Sequence, residues 1–383
     1  MSFDVIVCGA GVQGLWTANY LLQQGKKVLL LEQFPWPHSR GSSHGDSRIT
    51  RYTYPTSHHS KMMPEAFKKW AELEKKAKTQ LFVNCGLLAI GDQNKVDTVL
   101  KILKEGQIPH DCLSALDIKQ KFPDLDSGDL IGVLEKTAGV LKAKHCLFAL
   151  QEAFLKDGGS FQDCEKVLSI QPVHYSLVKV ATNKSTYSAK SVVLTCGSWI
   201  NNLLKPLDIT LPIKPTRVES VYWKAKNPKR LQADSGFPAT ILYGKSHIYS
   251  TPIIEYPGLM KVSCHFGVVT DPDRRDALSE KVLQVAESHR ETLTNIVETN
   301  YPGLHPEPAI VESCIYSKTP DEDFILDRHP VFKNIIIGAG FSGHGFKMSP
   351  VIGRILGDLA LNRTPPYPMH HFSMSRFRHK SSL

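Results

Sequence analysis

Hydrophobic positions near the start of the chain form short continuous runs separated by glycine. Residues 4–8 are nearly all apolar, which is typical of a strand buried on both faces of a parallel sheet. Residues 15–24 then carry apolar side chains at helical spacing, and the pattern stops at Gly25. A second apolar strand is predicted over residues 27–31, and it ends on Glu32. The opening of the chain therefore predicts a strand, a turn, a helix and a second strand in that order.

The turn after the first predicted strand has the spacing Gly-x-Gly-x-x-Gly, formed by Gly9, Gly11 and Gly14. In dinucleotide-binding units the first glycine permits a tight turn, the second lets a pyrophosphate approach, and the third lets helix and strand pack closely. The helix N-terminus binds the pyrophosphate, and an acid after the second strand accepts the ribose hydroxyls, which fits Glu32. Because a basic residue would favour a 2′-phosphate, Glu32 indicates NAD or FAD rather than NADP.

The rest of the chain changes pattern several times. Short strands and helices are predicted over residues 81–140, whereas residues 191–199 repeat the strand-into-glycine pattern and indicate a return to the nucleotide-binding unit. Residues 216–313 alternate between apolar and polar positions and predict a mostly antiparallel sheet. Residues 334–347 form another buried strand with a glycine-rich turn, and a helix is predicted over residues 349–361. A second helix N-terminus is what an extended flavin requires at its ring end, where the positive end of the helix can stabilise negative charge on the reduced ring.

The predicted fold class is α/β with two interleaved domains. A Rossmann-like FAD-binding domain of the glutathione-reductase type is predicted from residues 1–83, 141–214 and 315–383. A substrate domain with a mostly antiparallel sheet is predicted from residues 84–140 and 215–314.

Composition narrows the function classes. The 383 residues include 42% hydrophobic and 22% charged residues, which is ordinary for a soluble globular protein. The net charge of +9 would suit a nucleic-acid partner, but Lys and Arg are interspersed with acids and no nucleic-acid motif is present, so a basic enzyme is favoured. No apolar run is long enough to span a bilayer, so no membrane partner is expected.

Cysteine and histidine spacing argues against disulfides and metals. The eight cysteines are scattered without a C-x-x-C pair, which is typical of a reducing compartment. The adjacent pair His58 and His59 would point apart on regular structure. We therefore expect no metal site.

Five segments together resemble the monomeric sarcosine oxidase family of FAD-dependent amine oxidases, and within it the animal peroxisomal sarcosine and L-pipecolate oxidases. They are residues 9–14, 42–48, 256–261, 312–322 and 338–347. The resemblance extends over nearly the whole chain. It implies oxidation of the C–N bond of a secondary amino acid to an imine, with FAD as cofactor and O₂ reduced to H₂O₂. The candidate substrates are sarcosine, L-pipecolate and L-proline, and a monomer is expected.

The resemblance also implies roles for individual residues. The family's flavin is attached through its 8α-methyl group to a cysteine sulfur, and the matching residue is Cys314. The residues matching Arg51 and Lys347 bind the substrate carboxylate, and the residue matching Lys261 is where the reduced flavin meets oxygen. The other implied positions are His44, Arg48, Tyr249 and His265 in catalysis, with Gly9, Gly11, Gly14, Glu32, Ser42, Ser43, Gly340, Gly343 and Lys347 in cofactor binding. Tyr249 matches only if one residue is inserted before Lys261.

The same residues have ordinary interpretations when considered alone. Cys314 stands between apolar neighbours, where an inert buried thiol is usual. Arg48 and Arg51 would be solvated surface charges, Lys261 a strand lysine, and His265 a core histidine. Two other functions stay open: an amine dehydrogenase of the same fold with a non-oxygen acceptor, and a flavin-binding sensor without turnover.

The last three residues, Ser381, Ser382 and Leu383, follow a basic stretch and resemble the peroxisomal address S-K-L, with Ser382 in the place of lysine. They predict a peroxisomal location and an import receptor as partner. The alternative interpretation is an ordinary polar tail.

Overall fold

The computed structural model describes residues 2–54, 56–244 and 247–380, without the side chains of residues 378–380. The predicted targeting tripeptide, residues 381–383, lies outside these ranges. The strands are β1 (Ser2–Cys8), β2 (Val28–Leu31), β3 (Ser47–Thr50), β4 (Phe82–Val83), β5 (Leu87–Gly91), β6 (His110–Leu113), β7 (Ile131–Glu135), β8 (Gly139–Lys142), β9 (Ser160–Gln162), β10 (Val167–His174), β11 (Leu177–Thr182), β12 (Thr186–Leu194), β13 (Lys214–Ala225), β14 (Ala239–Leu242), β15 (Ile248–Tyr256), β16 (Leu259–Cys264), β17 (Gly267–Val269), β18 (Leu304–Lys318), β19 (Ile325–Arg328) and β20 (Ile335–Ala339).

The helices are α1 (Val12–Gln23), α2 (Ser57–Ala77), α3 (Gln93–Glu105), α4 (Ala115–Lys121), α5 (Ala143–Lys156), α6 (Ile200–Leu204), α7 (Glu280–Asn300) and α8 (Ser349–Ala360). Among the described residues, no helix is both long enough and apolar enough to cross a membrane.

The first sheet runs in the order β10-β11-β12-β1-β2-β9, with β20 beside β12 and β19 beside β20. Its central pairs, β1 with β2 and with β12 and β12 with β20, are parallel. Alternate residues of β1 enter different cores: Val5 and Val7 pack with α1, α5 and α8, whereas Ile6 and Cys8 pack with α6. Burial of both faces explains why this strand is continuously apolar. The predicted return of residues 191–199 to this sheet is confirmed, since β12 lies beside β1.

The second sheet runs in the order β17-β13-β16-β15-β14-β5-β7-β6, and β18 pairs with β13. Its pairs are antiparallel except for β5 with β14. The chain segments that connect the two larger sheets form a small third sheet in the order β3-β8-β4. The division into domains at residues 83, 140, 214 and 314 stays a prediction, and the last of these boundaries falls inside β18.

The antiparallel sheet predicted over residues 216–313 is interrupted by a long helix. The segment contains α7, a helix of 21 residues that packs against β16, β17 and β18. Its buried residues are only Ala286, Leu293 and Val297, so its apolar stripe is narrow and hard to distinguish from the surrounding alternation.

The prediction that His58 and His59 point apart is wrong. Both residues lie in the first turn of α2, and both Nε2 atoms reach the carboxylate of Asp323. The two rings lie close together, with centroids 4.3 Å apart, and each one contacts a different oxygen of the same carboxylate. Sequence spacing does not reveal this contact because Asp323 follows β18, far along the chain.

Candidate active site

An elongated cavity of about 320 Å³ begins at the end of β1 and runs between the first sheet and the face of the second. It is lined by the two glycine-rich turns, the loop before β3, and side chains of β13, β15, β16 and β18. The carboxyl ends of parallel strands are where open α/β sheets bind ligands. The cavity therefore joins the predicted nucleotide site to the predicted substrate site.

The first glycine-rich turn leaves no room for side chains. Gly9 has a φ of +101°, and a Cβ there would lie 2.6 Å from the carbonyl oxygen of Thr195. A Cβ on Gly14 would lie 1.8 Å from the carbonyl oxygen of Gly9. A Cβ on Gly11 would lie 3.1 Å from Ser43 Oγ, which accepts a hydrogen bond from the Val12 amide at 3.0 Å. The turn therefore brings backbone and a serine hydroxyl to the start of α1, as a pyrophosphate site requires.

Glu32 is buried at the end of β2 and lines the cavity. Its Oε2 accepts a hydrogen bond from the Ala10 amide at 2.9 Å, and its Oε1 accepts one from the Phe34 amide at 3.1 Å. These two bonds fix the carboxylate against the glycine-rich turn. This is the position predicted for an acid that accepts ribose hydroxyls.

The loop before β3 is tied to β18 on both sides of Cys314. The Ser42 hydroxyl donates to the Ile315 carbonyl oxygen at 2.5 Å, and His44 Nε2 lies 3.2 Å from the Ser313 carbonyl oxygen. His44 Nδ1 lies 2.6 Å from the Gly41 carbonyl oxygen. Burial lowers the pKa of His44 to about 4, so the ring is neutral at pH 7 and donates through one nitrogen at a time.

Arg48 holds the same loop together. Its guanidinium donates to the carbonyl oxygens of Ser47 at 2.7 Å, His44 at 2.5 Å and Ser42 at 3.0 Å. It also lies over the ring of Phe346, 5.4 Å from the ring centroid, and lines the cavity. Arg48 therefore connects the loop before β3 to the second glycine-rich turn.

Cys314 lines the cavity from β18, and it forms no disulfide. Burial raises the pKa of its thiol, while the positive charges of Arg48, Arg275 and Lys261 act in the opposite direction. The thiol therefore lies in a cavity wall among positive charges, and not in a uniformly apolar core.

Lys261 is buried on β16 and makes an ion pair within the cavity wall. Its Nζ donates to Glu255 Oε1 at 2.5 Å and to the Ser47 hydroxyl at 2.8 Å, and it lies 5.0 Å from the ring centroid of Tyr222. Burial lowers the pKa of Lys261, and the Glu255 carboxylate opposes that effect. Burial would raise the pKa of Glu255, but Lys261 and the hydroxyls of Ser47 and Tyr222 lower it overall. Each partner therefore favours the charged form of the other.

The second glycine-rich turn packs closely against β18 and against Thr319, which follows that strand. Gly340 and Gly343 have φ values of +69° and +85°. A Cβ on Gly340 would lie 2.4 Å from Thr319 Cγ2, and one on Gly343 would lie 2.6 Å from the ring of Tyr316. Residues 341–347 line the cavity, whereas the first residue of α8, Ser349, does not. The turn itself, and not the start of the helix, therefore faces the cavity.

At the far end of the cavity, Arg51 and Lys347 face the ring of Tyr54. The Arg51 guanidinium carbon and the Lys347 Nζ lie 5.1 and 5.3 Å from the ring centroid. Arg51 Nε and Nη1 are buried and have no hydrogen-bond partner among the described residues, and neither does the Tyr54 hydroxyl. Buried donors without partners are rare in native proteins and indicate a missing acceptor.

The charge state of this cluster is asymmetric. Burial disfavours the charge of Arg51, but Tyr243, Tyr54 and Glu135 raise its pKa overall, so it stays protonated. Burial lowers the pKa of Lys347 well below its usual value, and the positive charges of Arg51 and Arg48 lower it further. An anion between Arg51 and Lys347 would reverse that effect and hold both groups charged.

Tyr249 and His265 lie side by side at this end, with ring centroids 4.9 Å apart. His265 Nδ1 lies 3.3 Å from the hydroxyl of Tyr316. Burial, with Lys347 and other cations nearby, lowers the pKa of His265 to about 3, and burial raises that of Tyr249 to about 12. Neither group exchanges a proton readily at pH 7.

The structure thus brings all the predicted site residues to one cavity or its immediate wall. Of these residues, Gly14 and Gly340 do not line the cavity and instead pack behind the turns. Sequence reasoning missed several residues of the cavity and its wall, namely Tyr222, Glu255, Glu312 and Tyr316. The alternation of β18 contained a signal for two of them, because Glu312 and Tyr316 are two residues either side of Cys314 and share its face.

Comparison with known proteins agrees with this geometry. Residues 4–359 match the family model described as FAD dependent oxidoreductase, abbreviated DAO. The human protein named peroxisomal sarcosine oxidase is 45% identical over 98% of this chain and 96% of its own length. The monomeric sarcosine oxidase of Arthrobacter sp. is 32% identical over 98% of this chain and 96% of its own length.

This chain belongs to the sarcosine oxidase family of FAD-dependent oxidoreductases. Membership confirms the predicted fold class, the FAD cofactor and the assignment as a flavin-dependent amine oxidase. Among solved structures, the amino acid oxidase NikD in its open form has a TM-score of 0.83 at 23% identity, and each chain is 97% covered. The L-proline dehydrogenase of P. horikoshii has a TM-score of 0.80 at 20% identity, with 98% of this chain and 97% of that chain covered. At these identities the two structures support the fold alone.

Proposed function

We propose that this protein oxidises the C–N bond of a secondary amino acid to an imine and that O₂ accepts the electrons, giving H₂O₂. The candidate substrates are sarcosine, L-pipecolate and L-proline. The observation that carries the proposal is that buried donors of Arg51 have no partner in the part of the chain that the structure describes, and that they lie in the same cavity as the nucleotide-binding turn. The names of the relatives support it, since the human and Arthrobacter proteins are both called sarcosine oxidases.

The residues of the cavity fit an extended FAD molecule. Glycines 9, 11 and 14 leave a concave backbone surface, Ser43 stands at the start of α1, and Glu32 is held at the end of β2. Ser42, Gly340, Gly343 and Lys347 complete the set that would hold the cofactor. When bound, FAD supplies the acceptor for the two electrons that leave the substrate.

Arg51 and Lys347 bind the substrate carboxylate in this proposal. A guanidinium offers two parallel N–H donors to a carboxylate along an edge, and Nη2 shares one edge with Nε and the other with Nη1. A carboxylate on either edge would satisfy one of the two buried donors of Arg51 and would counter the charge repulsion between Arg51 and Lys347. The amine end of the substrate then points along the cavity toward Tyr249 and His265.

The substrate amine loses its proton as it binds. Two cations at the carboxylate end disfavour a positively charged amine in the same cavity. No strong base is available to the amine among the cavity residues discussed above: the pKa of His265 is about 3 and that of His44 about 4. We therefore assign the deprotonation to a lowered pKa of the bound amine.

Lys261 supplies a positive charge beside the site of oxygen reduction. One-electron reduction of O₂ creates an anion, and a fixed ammonium stabilises it without reorganisation. Glu255 holds Lys261 in its protonated form, because removal of the carboxylate would leave a buried ammonium without a counterion.

Cys314 is proposed to carry the flavin through a thioether to its 8α-methyl group. Support comes from its place in the cavity wall and from the three positive charges that act on its thiol. The bonds from Ser42 and His44 to the residues on either side fix the backbone at this position.

Location and assembly are further parts of the proposal. Human and mouse proteins named peroxisomal sarcosine oxidase are both 45% identical to this chain, which supports a peroxisomal location. The name of the Arthrobacter relative supports a monomer. The targeting tripeptide and its import receptor stay predictions.

The test is oxygen uptake by purified holoenzyme with paired substrates that differ in the carboxylate. Sarcosine is compared with its methyl ester, and L-pipecolate with piperidine. We expect at least one acid to be oxidised with stoichiometric H₂O₂, and its partner without a carboxylate to be oxidised far more slowly. Equal rates within both pairs would contradict the carboxylate site, and flavin reduction without oxygen uptake would indicate a dehydrogenase.

A further inference from the structure

Two histidines and an aspartate converge outside the cavity, next to its substrate end. His58 Nε2 lies 2.7 Å from Asp323 Oδ2, and His59 Nε2 lies 3.0 Å from Asp323 Oδ1. The potential ligand atoms of the three residues all lie within 4.8 Å of one another. The ring of His59 is 5.6 Å from the ring of Tyr54, and Arg51 and Lys347 both lie over the Tyr54 ring. None of the three residues lines the cavity.

We propose that His58, His59 and Asp323 form a binding site for a divalent transition-metal ion, with Zn²⁺ as the representative cation. Two imidazole nitrogens and one carboxylate oxygen are ordinary zinc ligands, and three protein ligands leave a position for water. The metal would take the place of the direct contacts between the histidines and the carboxylate. Because the ligand atoms already lie close together, binding requires side-chain rotation and no movement of α2.

The surrounding hydrogen bonds orient the ligands as a metal site requires. His59 Nδ1 lies 2.7 Å from the Thr56 hydroxyl, so Nε2 is the nitrogen turned toward Asp323. The Phe324 amide donates to Asp323 Oδ1 at 2.7 Å and fixes the carboxylate. Metal-binding histidines usually use their second nitrogen in a contact of this kind.

The protonation states also suit a metal. Burial acts to raise the pKa of Asp323, but hydrogen bonds from His58 and His59 outweigh it and lower the pKa overall. Burial lowers the pKa of His59, so its ring is neutral at pH 7, and metal binding through Nε2 moves its proton to Nδ1, where the Thr56 hydroxyl can accept a hydrogen bond from it. An ionised carboxylate and a neutral imidazole are the forms that bind metal ions.

The site has a path to solvent on one side. The side chains of His58 and Asp323 are 13% and 16% exposed, compared with 5% for His59. The ring of His371, from the C-terminal segment, stacks on His58 with centroids 4.3 Å apart. The cluster therefore joins α2, the turn after β18 and the C-terminal segment, and a bound metal ion would stabilise that junction.

Isothermal titration calorimetry of Zn²⁺ into the tag-free holoenzyme tests the proposal. The variants are His58→Ala, Asp323→Asn and a control, His145→Ala, which removes an exposed histidine of α5. We expect one tight site per chain in the wild type and the control, with affinity at least about tenfold weaker in His58→Ala and Asp323→Asn. Zn²⁺ should also raise the melting temperature of the wild type and not that of His58→Ala.

Two results would overturn the proposal. One is the absence of a tight Zn²⁺ site in the wild type, in which case the cluster serves only to join α2 to the turn after β18. The other is equal affinity in the wild type and in His58→Ala. Flavin absorbance and the melting temperature without metal show whether each variant is folded, and His58→Ala, at a partly exposed position, decides the question if Asp323→Asn does not fold.

Discussion

Arg51 and Lys347 face the same aromatic ring, that of Tyr54, at 5.1 and 5.3 Å from its centroid. They come from opposite ends of the chain, and the second sheet lies between them in sequence. A guanidinium and a lysine amine held side by side, with buried donors that have no partner among the described residues, form a site that an anion would stabilise. The proposed carboxylate site depends on this relationship.

Replacement of Arg51 should weaken carboxylate binding and leave the flavin in place. In Arg51→Ala we expect affinity for a carboxylate inhibitor to fall roughly 100-fold, about 3 kcal/mol, because a buried charged partner is lost. The change in flavin absorbance on inhibitor binding measures this. Arg230→Ala, which removes a half-exposed arginine paired with Asp124, is the matched control and should bind as the wild type does. Unchanged affinity in Arg51→Ala would remove Arg51 from the site.

Lys261→Met should slow the reoxidation of the flavin by O₂ more than its reduction by substrate. We expect reoxidation by O₂ to slow on the order of 100-fold, because a fixed positive charge is lost where an anion develops. Anaerobic reduction by substrate should change much less. Rapid mixing measures each half-reaction, and Lys224→Met, an exposed lysine of the neighbouring strand β13, is the control. Equal slowing of both half-reactions would contradict the assigned role.

Glu255→Gln should change the pH dependence of reoxidation. The Glu255 carboxylate opposes the effect of burial on Lys261, so its removal lowers the pKa of Lys261 further. The ammonium then loses its proton at lower pH, and the rate of reoxidation should fall at lower pH than in the wild type. Tyr222→Phe, which removes a 2.5 Å hydrogen bond to Glu255 but no charge, should shift the profile less.

Glu255→Gln should also have a lower free energy of unfolding than the wild type. Breaking a buried ion pair by removing one partner costs about 3–5 kcal/mol. Denaturant unfolding measures the change in the free energy of unfolding. A pH profile identical to that of the wild type would show that Glu255 does not set the charge of Lys261.

Cys314→Ser should release the flavin on acid precipitation. We expect the wild-type pellet to stay yellow, with the colour on the peptide that contains Cys314, and the Cys314→Ser supernatant to become yellow. Cys112→Ser, at an exposed cysteine, is the control and should behave as the wild type does. A yellow supernatant from the wild type would exclude the thioether and would leave the non-covalent flavoprotein intact.

The nucleotide-binding unit was predictable because local rules decide it. Gly9, Gly11, Gly14 and Glu32 act within a single strand–turn–helix–strand unit, and α1 begins only three residues before its predicted start. α7 was missed because only one narrow stripe of that helix is buried.

The wall of the site depends on contacts between distant segments. Glu255 meets Lys261 only because a turn folds β15 back beside β16, and Tyr54 meets Lys347 only after the whole chain has folded. The resemblance to a family supplied the roles of Cys314 and Lys261, which their sequence neighbours alone would not indicate.

The most direct test of the proposed function is anaerobic mixing of the holoenzyme with sarcosine, L-pipecolate or L-proline, followed by addition of O₂. We predict that at least one of these amino acids bleaches the flavin, and that O₂ restores its colour with one H₂O₂ released per flavin. Bleaching that O₂ does not reverse would identify a dehydrogenase. A flavin that none of the three amino acids reduces would contradict the account.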